Sequence, residues 1–214
     1  MRKREAIGII TTCAAMYDKN LVNRNFLFVY GSEEQPFYME TVFLPRHFLH
    51  LTGVKLPEDK GNDPELAQSS VDFYQRALKH RLRESDFVMS NDGTVEMKLS
   101  VLTSLMNIHK VSKMVGTYDS SKALLSTEKL AGTVTACMGF VREKSSGYFV
   151  PNTALREDIR NITLRPQEKV LCVLQKEVKD ATYTAICYKA KTVQLKDIPF
   201  SEKVVLPQEM TPAI

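Results

Sequence analysis

The chain has 214 residues, 43% of them hydrophobic and 25% charged, which provides enough apolar material for a buried core and excludes a disordered polyelectrolyte. Its 29 basic and 25 acidic side chains leave a net charge of +4, and the excess sits in the second half: residues 1–107 carry 13 basic and 14 acidic groups, residues 108–214 carry 16 and 11. A basic half attracts phosphate by Coulomb steering, although so small an excess also fits an ordinary solvated surface.

No apolar run approaches the roughly 20 residues that span a bilayer. Arg2, Lys3 and Arg4 ahead of the apolar stretch 6–16 imitate a signal peptide. Glu5, the helical spacing of that stretch and the lack of an Ala-x-Ala-like cleavage site argue against one, so the expectation is a soluble cytoplasmic protein with no membrane partner. Cys13, Cys137, Cys172 and Cys187 form no Cys-x-x-Cys pair and no Cys/His cluster at zinc spacing, and each lies in an apolar stretch as a small buried hydrophobe would.

In chain order, Ala6, Ile9, Ile10, Cys13, Ala14 and Tyr17 predict an amphipathic helix over 3–18. The aromatic and β-branched runs 26–30 and 37–43, around the turn signal Gly31-Ser32-Glu33-Glu34, predict a hairpin. Pro57, Gly61 and Pro64 mark a loop. Helices are predicted over 64–82 and 94–108. After residue 108 the period changes to two. Strands are predicted over 113–118, 133–141, 148–150 (stopped by Pro151), 169–176 and 183–189, with a helical turn in 155–162. The strands follow one another without regular β-helix-β alternation, which points to an α+β fold with N-terminal helices on a mostly antiparallel sheet. The predicted organisation is one domain over 1–198 and a tail over 199–214 that holds Pro207 and Pro212. Ile9, Cys13, Leu99, Leu102, Val134, Ala136, Leu171, Val173 and Ile186 are expected in the core.

Several catalytic signatures are missing: the Gly-x-x-x-x-Gly-Lys-Ser/Thr and Gly-x-Gly-x-x-Gly phosphate cradles, the Gly-x-Ser-x-Gly elbow and His-Glu-x-x-His. His47 and His50 could share a helical face, but no third ligand accompanies them, so a surface or core-edge pair with no ligand is favoured over a metal site. What remains is three polar clusters: Arg46, His47, His50 and Thr52; Tyr118, Ser121, Lys122, Thr127 and Lys129; and Asn152 with Thr153. Such groups suit RNA cleavage without a metal. A base takes the 2′-OH proton, cations stabilise the dianionic phosphorane, and an acid protonates the leaving 5′-oxygen. Each residue also has a plain reading, as solvated charge for the lysines or a core-edge histidine for His50.

Five segments carry a resemblance. Phe48-Leu49-His50-Leu51-Thr52-Gly53-Val54, Met97-Lys98-Leu99-Ser100-Val101-Leu102, Ser126-Thr127-Glu128-Lys129-Leu130-Ala131-Gly132, Ala136-Cys137-Met138-Gly139-Phe140 and Tyr148-Phe149-Val150-Pro151-Asn152-Thr153-Ala154-Leu155 resemble a family found on phages and integrated mobile elements of Gram-positive gut bacteria. That family is grouped with the phage-type members of the barnase–EndoU–colicin–RelE (BECR) nuclease superfamily. The resemblance covers most of residues 1–190. It implies a BECR-like antiparallel sheet packed on N-terminal helices, and RNA cleavage as the activity.

The positions that match the motifs are His50, Thr127, Lys129 and Asn152. The expected roles are His50 as general base or acid, Lys129 on the phosphorane, and Thr127 and Asn152 orienting the phosphate. Arg46 and Lys122 are expected to bind substrate. No metal or cofactor is expected. RNA, with tRNA as one candidate, is the expected partner, and a cognate inhibitor protein is a second candidate partner. The competing reading is a non-catalytic nucleic-acid-binding or protein-interaction module of a mobile element.

Overall fold

The computed structural model describes residues 1–58, 66–122 and 125–206. The apolar stripe at the start of the chain forms α1 (Lys3–Asn20), and Ala6, Ile10, Cys13, Ala14 and Tyr17 are fully buried. Ile9, at the margin of the stripe, is only half-buried. The expected hairpin is β1 (Arg24–Gly31) and β2 (Pro36–Phe43), paired from Arg24↔Phe43 to Gly31↔Pro36. A short helix, α2 (Phe48–Thr52), stops at Gly53, whose φ of +79° suits a residue without Cβ.

The second predicted helix is shorter than 64–82. It forms α3 (Ser70–Leu78), because the Ser69 hydroxyl accepts the Asp72 N–H at 3.1 Å and so caps its start. His80, in the left-handed region at φ 56°, ends it. Positions 64 and 65 lie outside the described residues. The third predicted helix divides into α4 (Thr94–Leu105) and α5 (Ile108–Val111), with Leu99 and Leu102 buried as expected.

The second half supplies β3 (Met114–Thr117), β4 (Lys129–Gly132), β5 (Cys137–Arg142), β6 (Phe149–Leu155), β7 (Glu168–Glu177) and β8 (Ala185–Lys189). Among the described residues these join one sheet in the order β1-β2-β6-β5-β4-β3-β7-β8. β1 also pairs with β7, so the sheet curls into a ring with β8 beside β7. Every ladder is antiparallel except β2–β6, which consists of a single parallel pair, Thr41↔Phe149. The architecture is therefore α+β, with helices on a mostly antiparallel sheet.

Rings from strands far apart in the sequence meet inside the curl. Phe28 and Phe43 lie 6.4 and 6.1 Å from Phe140, and the helices close over the same cluster. Two smaller clusters lie on the outer face. Leu27, Val29, Leu171 and Leu174 are covered by Tyr183, Val193 and Ile198, and Leu130 and Cys137 lie under Ile159. Residues 199–206 continue over the first of these, with Val204 bridging to Tyr183; Pro207 and Pro212 lie outside the described residues.

Three expectations need correction. The strand expected over 133–141 begins only at Cys137. The Thr133 hydroxyl accepts the N–H groups of Thr135 and Ala136, which turns the chain and leaves Val134 48% exposed. Pro151 does not stop its strand. β6 runs on to Leu155 because Pro151 sits at a bulge, opposite Phe140, where its missing N–H does no harm. Ile186 is 43% exposed, since among the described residues β8 pairs only with β7 and turns that side chain to the surface. Ala136, Leu171 and Val173 are buried, as expected.

Candidate functional site

Partners across an antiparallel ladder point to the same side of a sheet, and alternate residues of a strand share a side. Thr117 of β3 lies opposite Lys129 of β4, and Lys129 lies opposite Phe140 of β5, whose ring is in the inner core. All three therefore face the interior of the curl, and so does Arg142, two residues beyond Phe140. On β7, Glu168 alternates with the core residue Val170; Val115 lies opposite Glu168, and Tyr30 lies opposite Val170. Tyr30, Glu168, Thr117, Lys129 and Arg142 thus form a polar arc on the inner face. Ladder geometry spaces such neighbours about 4.5–5.5 Å apart when directly opposed and roughly 7–8 Å apart on the diagonal.

The arc is electrostatically uneven. Lys129 Nζ donates to Thr117 Oγ1 at 2.8 Å. Burial and then the nearby Arg142 hold the Lys129 ammonium below the ordinary lysine range, against the opposing pull of Glu128. The Arg142 guanidinium lies 4.8 Å over the Phe149 ring. Glu128 accepts the Arg142 backbone N–H at 3.0 Å. Among the described residues neither Lys129 nor Arg142 is ion-paired to a carboxylate. Burial, with Glu168 second, raises the Tyr30 phenol and keeps it neutral.

The other expected residues occupy separate places. Thr127 Oγ1 lies 3.1 Å from Asn152 Oδ1 and 3.2 Å from the Phe140 carbonyl, so one hydroxyl proton serves two acceptors. Asn152 Nδ2 donates to the Ser126 carbonyl. Asn152 is the extra residue of the β6 bulge, and the pair packs on Gly139, where a Cβ would come within 2.5 Å of Thr127 Oγ1. Gly139 lies opposite Leu130, which faces the outer core. Thr127 and Asn152 therefore brace β4 and β5 from the side opposite to Lys129.

Arg46 Nη2 donates to Glu143 Oε1 at 2.7 Å, one residue beyond Arg142. Ser146, donating to the other oxygen, and then Arg46 hold the Glu143 carboxyl below its usual range. His50 is exposed on α2, and its carbonyl accepts from Lys98 Nζ at 3.3 Å. Its neighbour His47 is buried, and its Nδ1 accepts the Leu44 N–H at 3.2 Å. Burial and then Arg46 push the His47 imidazole down to about 4. Lys122 lines a different cleft of about 510 Å³ with Asp119, Arg160 and Arg165. The fold thus joins Thr127 to Asn152 and brings Arg46 beside the strand end that carries Arg142. No described contact links His50 or Lys122 to Lys129.

Among the described residues, no three His, Cys, Asp or Glu side chains converge as metal ligands, and no helix is long and apolar enough to cross a membrane. A family model described as phage-Barnase-EndoU-ColicinE5/D-RelE like nuclease4 matches residues 9–192. The chain belongs to this nuclease family. The matched span contains the whole inner-face arc of this family member, Tyr30 to Glu168, together with the Thr127–Asn152 brace. Neither the curated proteins nor the solved structures yielded a match.

Tyr30, Thr117, Arg142 and Glu168 escaped the sequence reading. Alternation places each on one side of its strand or the other, but which side faces the concave interior follows only from the pairing of β1 with β7 and β7 with β3.

Proposed function

We propose that the protein is an endoribonuclease that cleaves by attack of a ribose 2′-OH on the adjacent phosphate, with no metal in the step. The observation that carries this reading is a pair of cations, Lys129 and Arg142, set without carboxylate ion pairs among the described residues on the same concave face as a carboxylate, Glu168. The scissile phosphate sits between them. Glu168 takes the 2′-OH proton, the 2′-oxygen bonds to phosphorus, and the P–O5′ bond breaks. Lys129, on the other side of Thr117, gives the leaving oxygen its proton, for which its lowered pKa suits it. The phosphorane gains a second negative charge as it forms, and the Arg142 fork with the Lys129 ammonium stabilises it in place. Nucleophile and leaving group both belong to the RNA, so fixed cations suffice.

The roles of Thr127 and Asn152 are to hold the Lys129 strand in place from behind. His50, Arg46 and Lys122 lie where longer RNA would contact the surface. Structured RNA such as tRNA, the cytoplasm as the place of action and a cognate inhibitor protein belong to this proposal. So does coding on a phage or mobile element of a Gram-positive gut bacterium, which rests on the resemblance alone.

The test is single-turnover cleavage of an end-labelled RNA. Wild-type protein should leave 2′,3′-cyclic phosphate and 5′-OH ends, at a rate indifferent to chelator. Lys129→Met should slow it by roughly 10²–10³ and Glu168→Gln by roughly 10²–10⁴. Cleavage of a substrate with a single 2′-deoxy at the cut site would overturn the mechanism. Salt-dependent RNA binding without any cleavage would establish the binding-module reading instead.

A further inference from the structure

β2 and β6 share only the pair Thr41↔Phe149, so beyond it the two strands part and a cavity of about 480 Å³ opens at the seam. Its walls are Tyr38 and Glu40 of β2, Arg142 and Phe149 of the β5–β6 hairpin, and Phe200 and Lys203 of the segment that follows β8. That segment is pinned. Tyr38 Oη donates to the Pro199 carbonyl at 2.8 Å, the Tyr183 N–H donates to the Lys203 carbonyl at 2.7 Å, and the Val205 N–H donates to the Tyr183 carbonyl at 3.0 Å. The volume is that of a small-molecule site. Tyr38 and Glu40, opposite Val29 and Leu27, face the outer side of the sheet, and Arg142, at the parted seam, lines this cavity while its charge also acts on Lys129 of the inner-face arc.

We propose that the cavity is a nucleobase pocket. It receives the base next to the phosphate held by Lys129 and Arg142, and it prefers bases with an exocyclic amino group (adenine, cytosine, guanine) over uracil. This rests on the ribonuclease reading of the arc.

Three observations support it. The aromatic side chains Tyr38, 42% exposed, and Phe200, half-buried, offer faces on which an unstacked base can lie. Arg142 and Lys203 both line the cavity and bring positive charge to it, suited to the phosphates that flank the base. Glu40 supplies the selection. It accepts the Tyr183 hydroxyl at 3.3 Å with one oxygen, and its remaining lone pairs can accept from a base but cannot donate to one. Cytosine, adenine and guanine each present an amino group. Uracil presents a single N–H between two carbonyl oxygens, and those oxygens are repelled by a carboxylate.

Titrating the full chain with the four nucleoside 3′-monophosphates, by calorimetry or NMR, tests the pocket without requiring cleavage. The adenosine, cytidine and guanosine nucleotides should bind at least roughly fivefold more tightly than the uridine nucleotide, the lower end of what one good base contact provides. Glu40→Gln should bring the four within about twofold, because an amide can donate to uracil as well as accept. Tyr38→Ala should weaken all four together, and Tyr38→Phe, which keeps the ring and loses only the bond to Pro199, should not. No mononucleotide binding, equal binding of all four by the wild type, or discrimination that survives Glu40→Gln overturns the pocket. RNA cleavage indifferent to the neighbouring base would sink the pocket and leave the ribonuclease standing. Base-selective binding by a protein that never cleaves RNA would sink the ribonuclease and leave the pocket.

Discussion

Acidification from about pH 7.5 to about pH 5 should cost the protein about 4 kcal/mol of folding stability, through two buried histidines. His47 and His109 are both pushed down to about 4 from 6.5, chiefly by burial, with Arg46 adding to the first and Lys110 and Arg24 to the second. His47 is locked neutral by geometry as well, because its Nδ1 accepts the Leu44 N–H and a proton there would face a donor. His109 packs its ring 5.1 Å from Phe26, and its Nδ1 is buried without a hydrogen-bond partner among the described residues.

A folded-state pKa below the unfolded value means that the unfolded chain binds the proton first. Stability is therefore complete above about pH 6.5 and falls as the pH drops toward 4. At pH 5 the unfolded imidazoles are almost fully protonated and the native ones are not, a difference worth about 2 kcal/mol for each. The two together give the figure above. Glu143 and Asp158, held below their ordinary carboxylate values, would add their own loss of stability at lower pH.

Urea midpoints at the two pH values read the effect directly. His109→Phe keeps a ring against Phe26 and removes the titrating group, so it should halve the loss to about 2 kcal/mol. A midpoint that stays flat between the two pH values in the wild type, or a full loss retained in His109→Phe, would refute the reasoning.

Leu102 is fully enclosed between α4 and the inner core, so Leu102→Ala should destabilise by about 2–5 kcal/mol and lower the melting temperature by at least roughly 4 °C, readable by scanning calorimetry. Gly139→Ala would force its Cβ against Thr127 Oγ1 and Thr153 Cγ2, at 2.5 and 2.7 Å, and should cost about 1–3 kcal/mol in the same measurement. Gly8→Ala, mid-helix, where an added Cβ would meet no neighbour within 4 Å among the described residues, should instead stabilise by roughly 0.5–1 kcal/mol. RNA affinity should fall log-linearly with salt concentration, and Arg142→Gln should make that slope shallower by about one unit in a filter-binding series; an unchanged slope would remove Arg142 from the phosphate path.

Much of the framework was legible in the residues. The stripe Ala6, Ile10, Cys13, Ala14, Tyr17 specifies a helix and its buried face, because period 3.6 is a local property. The aromatic runs on either side of Gly31 specify a hairpin, because turn chemistry and alternation act over a few residues. The same local logic misled at Val134 and Pro151, where a hydroxyl-bonded turn and a bulge outweighed β-propensity.

The site was legible only in fragments. Lys129 could be singled out by its motif, and Thr127 with Asn152 too, but nothing local says that the last two lie behind the sheet and brace it. That Tyr30, Glu168, Thr117, Lys129 and Arg142 share one concave face depends on β1 pairing with β7 across about 140 residues of chain, and on the register of each ladder. A strand carries the same alternation whichever of its sides is buried, and a shift of one residue in pairing would turn every one of these side chains outward. That choice is made by the packing of Phe28, Phe43 and Phe140 inside the curl, a tertiary energy that no short stretch of the chain contains.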